Sequence, residues 1–441
     1  MTNAADVPTP GPLEGIRVVS LEHAIAAPFC SRQLADLGAE VIKIERPGTG
    51  DFARGYDSRT RGLASHFVWT NRAKKSLTLD VKAAEGAGVL FELLSDADVL
   101  IQNLGPGASA RLGLSFEALR ERFPRLIVCD ISGYGSDGPY TNKKAYDLLI
   151  QSESGLLSQT GTKDTPVKAG VSMADIAAGM YAYSNILAAL LARGRSGQGS
   201  HIDVSMLEAT VEWMGYPLYY AFEGAEPPPR AGASHSTIYP YGPFPAGDGQ
   251  SVMLGLQNER EWQTFCTGVL ERPALIDDVR FATNADRSEA RQALDGVIDE
   301  VFSTLSADDI VARLDQAGIA NAHVNEMADV WAHPQLAARN RWREVDSPVG
   351  PLPALLPPGQ GRAFDTVMGP YRRWANIPAR FWSHSVMTRQ PSRAGARREW
   401  CKWRRHRSMR QSASERRDRP CLCLRPGLIV SARRWPARPI W

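Results

Sequence analysis

One carboxylate stands alone. In VKAGVSMADIAAGMYAYSNILAALLAR (167–193), Asp175 is the only charged side chain between Lys168 and Arg193. The run after it is apolar nearly all round, the pattern of a helix buried in a core. Two chemistries suit an Asp at such a place. It can cap the helix, its oxygen accepting from an N–H that lacks a helical partner. It can instead be a reactive group, because burial and a helix start tune both pKa and nucleophilicity. The remaining polar residues that could do chemistry fall where strands end. They are Arg46 in IERPG, the stretch LDVK (79–82), NLGPGASARLG (103–113) with Arg111, and Lys144 just before Tyr146 and Asp147. Together they suit an elongated ligand carrying phosphates, with Gly and Ala allowing close backbone approach.

These residues need a frame that brings strand ends together. GIRVVSL (15–21), AEVIKIE (39–45), DVLIQNL (98–104) and LIVCDIS (126–132) read as short apolar strands. Helical stretches alternate with them: AAPFCSRQLADLG, a segment near 83–95, and SFEALRERF. This alternation predicts an α/β fold with a parallel sheet. Helices near 147–158 and 174–192, the strand SHIDVSM and a helix over 206–221 complete a large Rossmann-like domain, 1–222. The Pro-rich EGAEPPPRAGASHS marks a boundary, and 223–325 reads as a smaller α/β domain. Residues 326–370 are loop-rich.

Composition narrows the class. The 441 residues carry a formal charge of +3, but residues 371–441 hold 18 Arg, 1 Lys and 3 acids, leaving the body at −13. That tail also holds six of the eleven Trp, without helical or strand periodicity. It could be a nucleic-acid or membrane arm, a disordered segment, or an out-of-frame translation, and the last is expected. The N-terminus lacks a basic region and an apolar core, so no secretory signal is expected and the cytoplasm is the expected compartment. The longest apolar run is too interrupted for a comfortable membrane span. Cys30, Cys129 and Cys266 have no metal-ligand spacing, and no metal is expected. GYGSDG (133–138) matches a dinucleotide fingerprint in letters only, because Pro139 follows and no helix opens there.

Read in order, LEGIRVVSLEHAIAAPFCSRQLADLGAEVIKIERPGTGD, NRAKKSLTLDVKAAEG, DVLIQNLGPGASARLG, ISGYGSDGPY, YDLLIQSESGLLSQTG and MADIAAGMYAYSNILAALLARGRSGQGSHIDVSM resemble the class III CoA-transferases. That group includes formyl-CoA transferase and the α-methylacyl-CoA racemases. The resemblance runs from residue 13 to about 206 and weakens toward 370. It implies an interlinked homodimer, a return of residues 326–370 to the large domain, a coenzyme A thioester as substrate with no permanently bound cofactor, and an acyl-CoA donor and carboxylic acid acceptor as partners, without nucleic acid or membrane. It also implies that Asp175 is the nucleophile. By the same resemblance Ala26, Arg46, Leu79, Lys82, Asn103, Leu104, Gly105, Arg111, Lys144 and Tyr146 line the coenzyme A site.

Departures from the pattern narrow the reaction. Tyr146 replaces the His of the racemases' His-Asp pair, so racemisation loses a proton carrier. Ile25 stands where formyl-CoA transferases carry Gln, and 236–262 lacks their glycine-run loop. YPYGPFPAGDG instead resembles transferases of small dicarboxylates. The expected activity is therefore transfer of CoA between small (di)carboxylic acids through an aspartyl-CoA thioester. An acyl-CoA racemase or epimerase, or a non-catalytic CoA-binding protein, are the alternatives. The resemblance also has the chain leave the family's course after Gly369-Pro370, which supports the out-of-frame reading of the tail.

Overall fold

Parallel strands covered on both faces should be largely apolar, and the centres of the middle strands are, with Val18, Val19, Val99, Leu100, Ile101, Ile127 and Val128 fully buried. In the computed structural model, which describes residues 11–359 and 364–372, β1 (Arg17–Leu21), β2 (Glu40–Glu45), β3 (Lys75–Thr78), β4 (Val99–Gln102), β5 (Ile127–Ser132) and β6 (His201–Ser205) form one parallel sheet. Their order is β3-β2-β1-β4-β5-β6. Val18 faces Val41 on one side and Val99 on the other. The expectations for the N-terminal ten residues and for the tail after Arg372 lie outside the described residues.

The expected α/β fold with a parallel sheet is present. β3 was not expected: four residues, KSLT, with one exposed Lys, are too few to show a period. Two expected helices are divided. The one over 147–158 becomes α3 (Asp147–Glu153), followed by a separate short turn. Gly155 at the break has φ of 83°, a left-handed conformation that ends the helix. The one over 206–221 becomes α5 (Met206–Trp213) and α6 (Gly215–Tyr220), meeting at Met214.

Earlier in the chain, α1 (Ala26–Asp36) and α2 (Ala84–Ser95) pack on the sheet. Helix α4 (Met173–Ser196) lies against α1, and Ala174, Ala177, Ala178, Ala182 and Ile186 enter the main core. By length and composition alone α4 could cross a membrane. Its burial differs from the sequence expectation. Only one side is covered, while Met180 and Leu191 stand exposed on the other, Leu191 at 72%. An apolar helix predicts burial without saying by what, and among the described residues nothing covers that side.

A second core forms around the antiparallel sheet β7 (Tyr241–Pro245), β8 (Ser251–Gly255) and β9 (Ala320–His323). Helix α7 (Arg291–Phe302) buries Leu294, Ile298 and Phe302, spaced four apart on one face. Helix α8 (Ala307–Ala317) begins with a Ser306/Asp309 capping box and stops at Gly318. The hairpin β10 (Trp342–Val345) and β11 (Leu352–Leu355) shares a small core with Val68 and Tyr371. The segment after it bonds back to the first part of the chain, Val367 N–H to the Asp36 carbonyl and Ala73 N–H to the Gly369 carbonyl.

Candidate active site

Strand order reverses between β1 and β4, and in such sheets the crevice beyond the strands' carboxyl ends is where ligands bind. The two loops flanking that crevice are tied to one another. Asn103, just after β4, accepts from His23 N–H at 2.9 Å and donates to the His23 carbonyl at 2.9 Å. After His23 the chain passes through Ala24, at φ of 60°, and starts α1 at Ile25 without a side-chain cap. The first N–H groups of α1 are therefore not capped by the residue that precedes them.

Asp175 reaches this point from the opposite side. It is the third residue of α4, and the N-cap position belongs to Ser172, whose side chain makes no capping bond. The cap comes instead from Asp147, the first residue of α3. Its Oδ1 accepts from Ala174 N–H at 2.8 Å and Asp175 N–H at 3.3 Å, and its Oδ2 accepts from Gln151 at 2.7 Å. The simpler reading of Asp175 as a helix cap is thus already filled by another carboxylate. The N–H of Ala26 lies close enough to the Asp175 carboxyl to favour its ionised form. Gly179, one turn on, permits this approach, since a Cβ there would lie 2.7 Å from the Ala26 carbonyl oxygen.

Burial pushes the Asp175 carboxyl up to about 7, nearby Asp147 adds to the rise, and the Ala26 N–H opposes it. Among the described residues Asp175 enters no ion pair. Near neutral pH it divides between acid and carboxylate, and as carboxylate it is poorly solvated and hence nucleophilic.

Beneath the β1–α1 loop the charges are paired. Glu22 accepts from Lys74 at 2.7 Å and from Ser20 and Ser31, while Lys43 meets Asp51 at 2.6 Å and Asn71 at 2.9 Å. Asp51 in turn accepts from Ala24 N–H at 3.2 Å, fastening the strained turn. Burial would raise the Glu22 carboxyl, but Lys74 and Lys43 outweigh it and hold it at about 2. This explains the charges in EVIKIE, whose Lys43 and Glu45 are buried where a strand usually places apolar residues.

The other expected site residues ring the crevice. Arg46 is exposed after β2, close enough for its charge to act on His23. Leu79 follows β3, bonded to the Glu45 carbonyl, and Lys82 is exposed beside Asp80. Asn103 has its amide committed to His23, Leu104 N–H is held by Gln102 at 2.7 Å, and Gly105 is exposed. Arg111 leans on the Pro106 carbonyl at 3.4 Å. Lys144 is exposed, and Tyr146, at the start of α3, is 69% exposed.

Three contributors were not visible in the sequence. Asp147's capping role depends on a contact 27 residues away in the chain. Gln102 looks like an ordinary strand residue. Tyr56 forms part of an aromatic row, its ring 5.8 Å from Phe52 and 5.5 Å from His66, with its phenol raised by burial and then by the charges of Asp51 and Asp175. No local pattern in ARGYDS announces it.

Known proteins match the chain over most of its length. The model of CoA-transferase family III matches residues 13–373. A succinate–glutarate CoA-transferase of Agrobacterium fabrum is 36% identical over 338 residues, covering 74% of this chain and 84% of that one. The human succinyl-CoA:glutarate CoA-transferase is 34% identical over 339 residues, covering 76% and 77%. Among solved structures, a CAIB/BAIF family protein from Brucella suis superposes with a TM-score of 0.73 at 34% identity, covering 82% of this chain and 96% of its own.

Proposed function

The chain belongs to CoA-transferase family III, and from that premise we propose that Asp175 is the nucleophile through which it moves CoA from an acyl-CoA donor to a small dicarboxylic acid. The observation that carries this is the state of Asp175: half-buried, without an ion-pair partner among the described residues, relieved of capping by Asp147, and set against the α1 N-terminus.

The chemistry follows from exchanging one thioester for another, which needs no external energy source. The Asp175 carboxylate attacks the donor thioester carbonyl and expels CoA thiolate, leaving a mixed anhydride. The thiolate attacks the Asp175 carbonyl carbon and releases the donor acid, leaving an aspartyl-CoA thioester. The acceptor carboxylate attacks that thioester, expels the thiolate and forms a second anhydride. Attack of the thiolate on the acceptor's acyl carbon restores Asp175 and yields the new acyl-CoA. Each step divides a hard displacement into easier ones. The Ala26 N–H and its neighbours at the start of α1 are donors suited to the oxyanion formed at each addition. Arg46 and Arg111 supply guanidinium groups for the CoA nucleotide phosphates, Lys82 a further CoA contact, and Lys144 a cation toward the thioester end.

The relatives described above act on succinyl-CoA and glutarate, which supports a small dicarboxylate as acceptor. A second copy of the chain is proposed to cover the exposed side of α4 together with Trp213, Tyr216, Tyr219, Tyr220 and Phe222, all exposed in and just after α5 and α6. Steady-state assays with succinyl-CoA and acids from oxalate through glutarate test the reading. Saturable formation of a new acyl-CoA supports it. Exchange of the α-proton in deuterated water without an acceptor acid would point instead to a racemase or epimerase.

A further inference from the structure

The end of β4 carries a polar residue in a setting that did not require one. Val99, Leu100 and Ile101 are fully buried, and Gln102 follows them at 5% exposure. A buried amide is costly unless both of its ends are bonded. Gln102 has both bonds. Its Nε2 donates to Asp130 Oδ1 at 2.8 Å, across the β4–β5 register, and its Oε1 accepts from Leu104 N–H at 2.7 Å. The amide's orientation is fixed, because the Leu104 N–H can only donate and so must face Oε1. Asp130 is held in turn by His201, whose Nε2 lies 2.9 Å from Oδ2 and whose ring stacks on Phe116 at 5.1 Å.

The row therefore starts on β6, crosses β5 and β4, and ends on the backbone of the loop that borders the crevice. The residue between Gln102 and Leu104 is Asn103, which clamps the neighbouring loop through His23. That neighbouring loop leads directly to Ala26, whose N–H favours the ionised form of Asp175.

We infer that Gln102 is a positioning residue: through Leu104 and Asn103 it sets the CoA-binding loop relative to the nucleophile, with Asp130 and His201 holding it in place. The inference rests on the reading of 103–105 as a coenzyme A loop. Its consequence is specific to one substrate. Displacing this loop weakens the acyl-CoA and leaves the acceptor acid's own contacts untouched.

A charge inversion along the row tests it. Gln102→Glu keeps an acceptor for Leu104 N–H but sets two carboxylates against each other. Adding Asp130→Asn restores a donor to the introduced carboxylate and leaves an amide oxygen for His201. The expected result for Gln102→Glu is a KM for succinyl-CoA raised by about tenfold with the acceptor's KM unchanged, the scale of one lost hydrogen bond to a charged group. The double variant should return close to wild type. Gln102→Met, which removes the acceptor without adding charge, takes the place of Gln102→Glu if the latter does not fold. A lowered kcat with both KM values unchanged would mean a merely structural role and overturn the proposal, as would a double variant no better than the single. Wild-type protein that does not saturate with any acyl-CoA overturns the underlying functional reading. Wild type that saturates while Gln102→Glu and Gln102→Met keep its KM overturns the proposal alone.

Discussion

Two sets of carboxylates lie on either side of the β1–α1 loop, and the fold treats them oppositely. Under the loop Glu22 and Asp51 each touch a lysine, and Glu22 is held at about 2. Above it Asp175 has no ion-pair partner among the described residues, feels the charge of another acid, and is pushed up to about 7. The paired set fixes geometry, since charges fully matched with partners have little left to offer a substrate. The unpaired group is reactive for the same reason that it is costly. The buried cations of this region thus serve the scaffold, which leaves the nucleophile poorly stabilised in its ionised form.

The largest effect is expected at Asp175 itself. Asp175→Asn should lower kcat by roughly a thousandfold or more, because the amide cannot form the anhydride. Asp175→Glu should lose nearly as much by moving the carboxylate off its line. Initial rates with succinyl-CoA and glutarate check both.

On the paired side the loss should be of stability. Glu22→Gln leaves Lys74 and Lys43 buried without full compensation and should destabilise by about 3–5 kcal/mol in urea unfolding. Glu22's contribution has a pH window. Its folded pKa is depressed, so the stabilisation is present above its ordinary value near 4.5 and fades as pH falls toward 2.

Asp175 runs the other way. Its folded pKa is raised, so it costs nothing below its ordinary value of 3.8, where both states are protonated. The cost grows between 3.8 and about 7 as the unfolded chain alone ionises, and is complete above that. Asp175→Asn should therefore match wild-type stability in acid and exceed it at pH 8 by about 4 kcal/mol. A variant that is inactive yet more stable would set the two groups of carboxylates still further apart.

Smaller effects probe how Asp175 is held. Gly179→Ala places a methyl against the Ala26 carbonyl and should cost about 1–3 kcal/mol. Its kcat should fall as the α1–α4 contact opens. Wild-type kcat/KM should rise with pH through about 7 as the nucleophile ionises. Asp147→Asn retains the cap but removes the neighbouring charge, and should move that midpoint down by less than about one pH unit.

Much of this was readable from the chain. Apolar strands alternating with helices fix a parallel sheet, and the isolation of Asp175 among apolar residues marks it without any structure. Its two readings could not be separated there, because Asp147 becomes the cap only once α3 and α4 meet. Asn103 was legible as a loop residue, whereas its clamp on His23 requires β1 and β4 to be neighbours. The exposed side of α4 was misread as buried because an apolar face specifies burial and not the partner that provides it. β3 was lost through brevity, and Tyr56 because a lone aromatic in a loop has no period.

Everything in the proposed reaction rests on Asp175 carrying CoA. Mass spectrometry of the protein quenched in acid after mixing with succinyl-CoA, with Asp175→Asn in parallel, asks this of the residue itself. The expected result is an adduct of CoA mass on the peptide containing Asp175, released by hydroxylamine and missing from the variant. Turnover with an adduct on another peptide, or an equal adduct on Asp175→Asn, would contradict it.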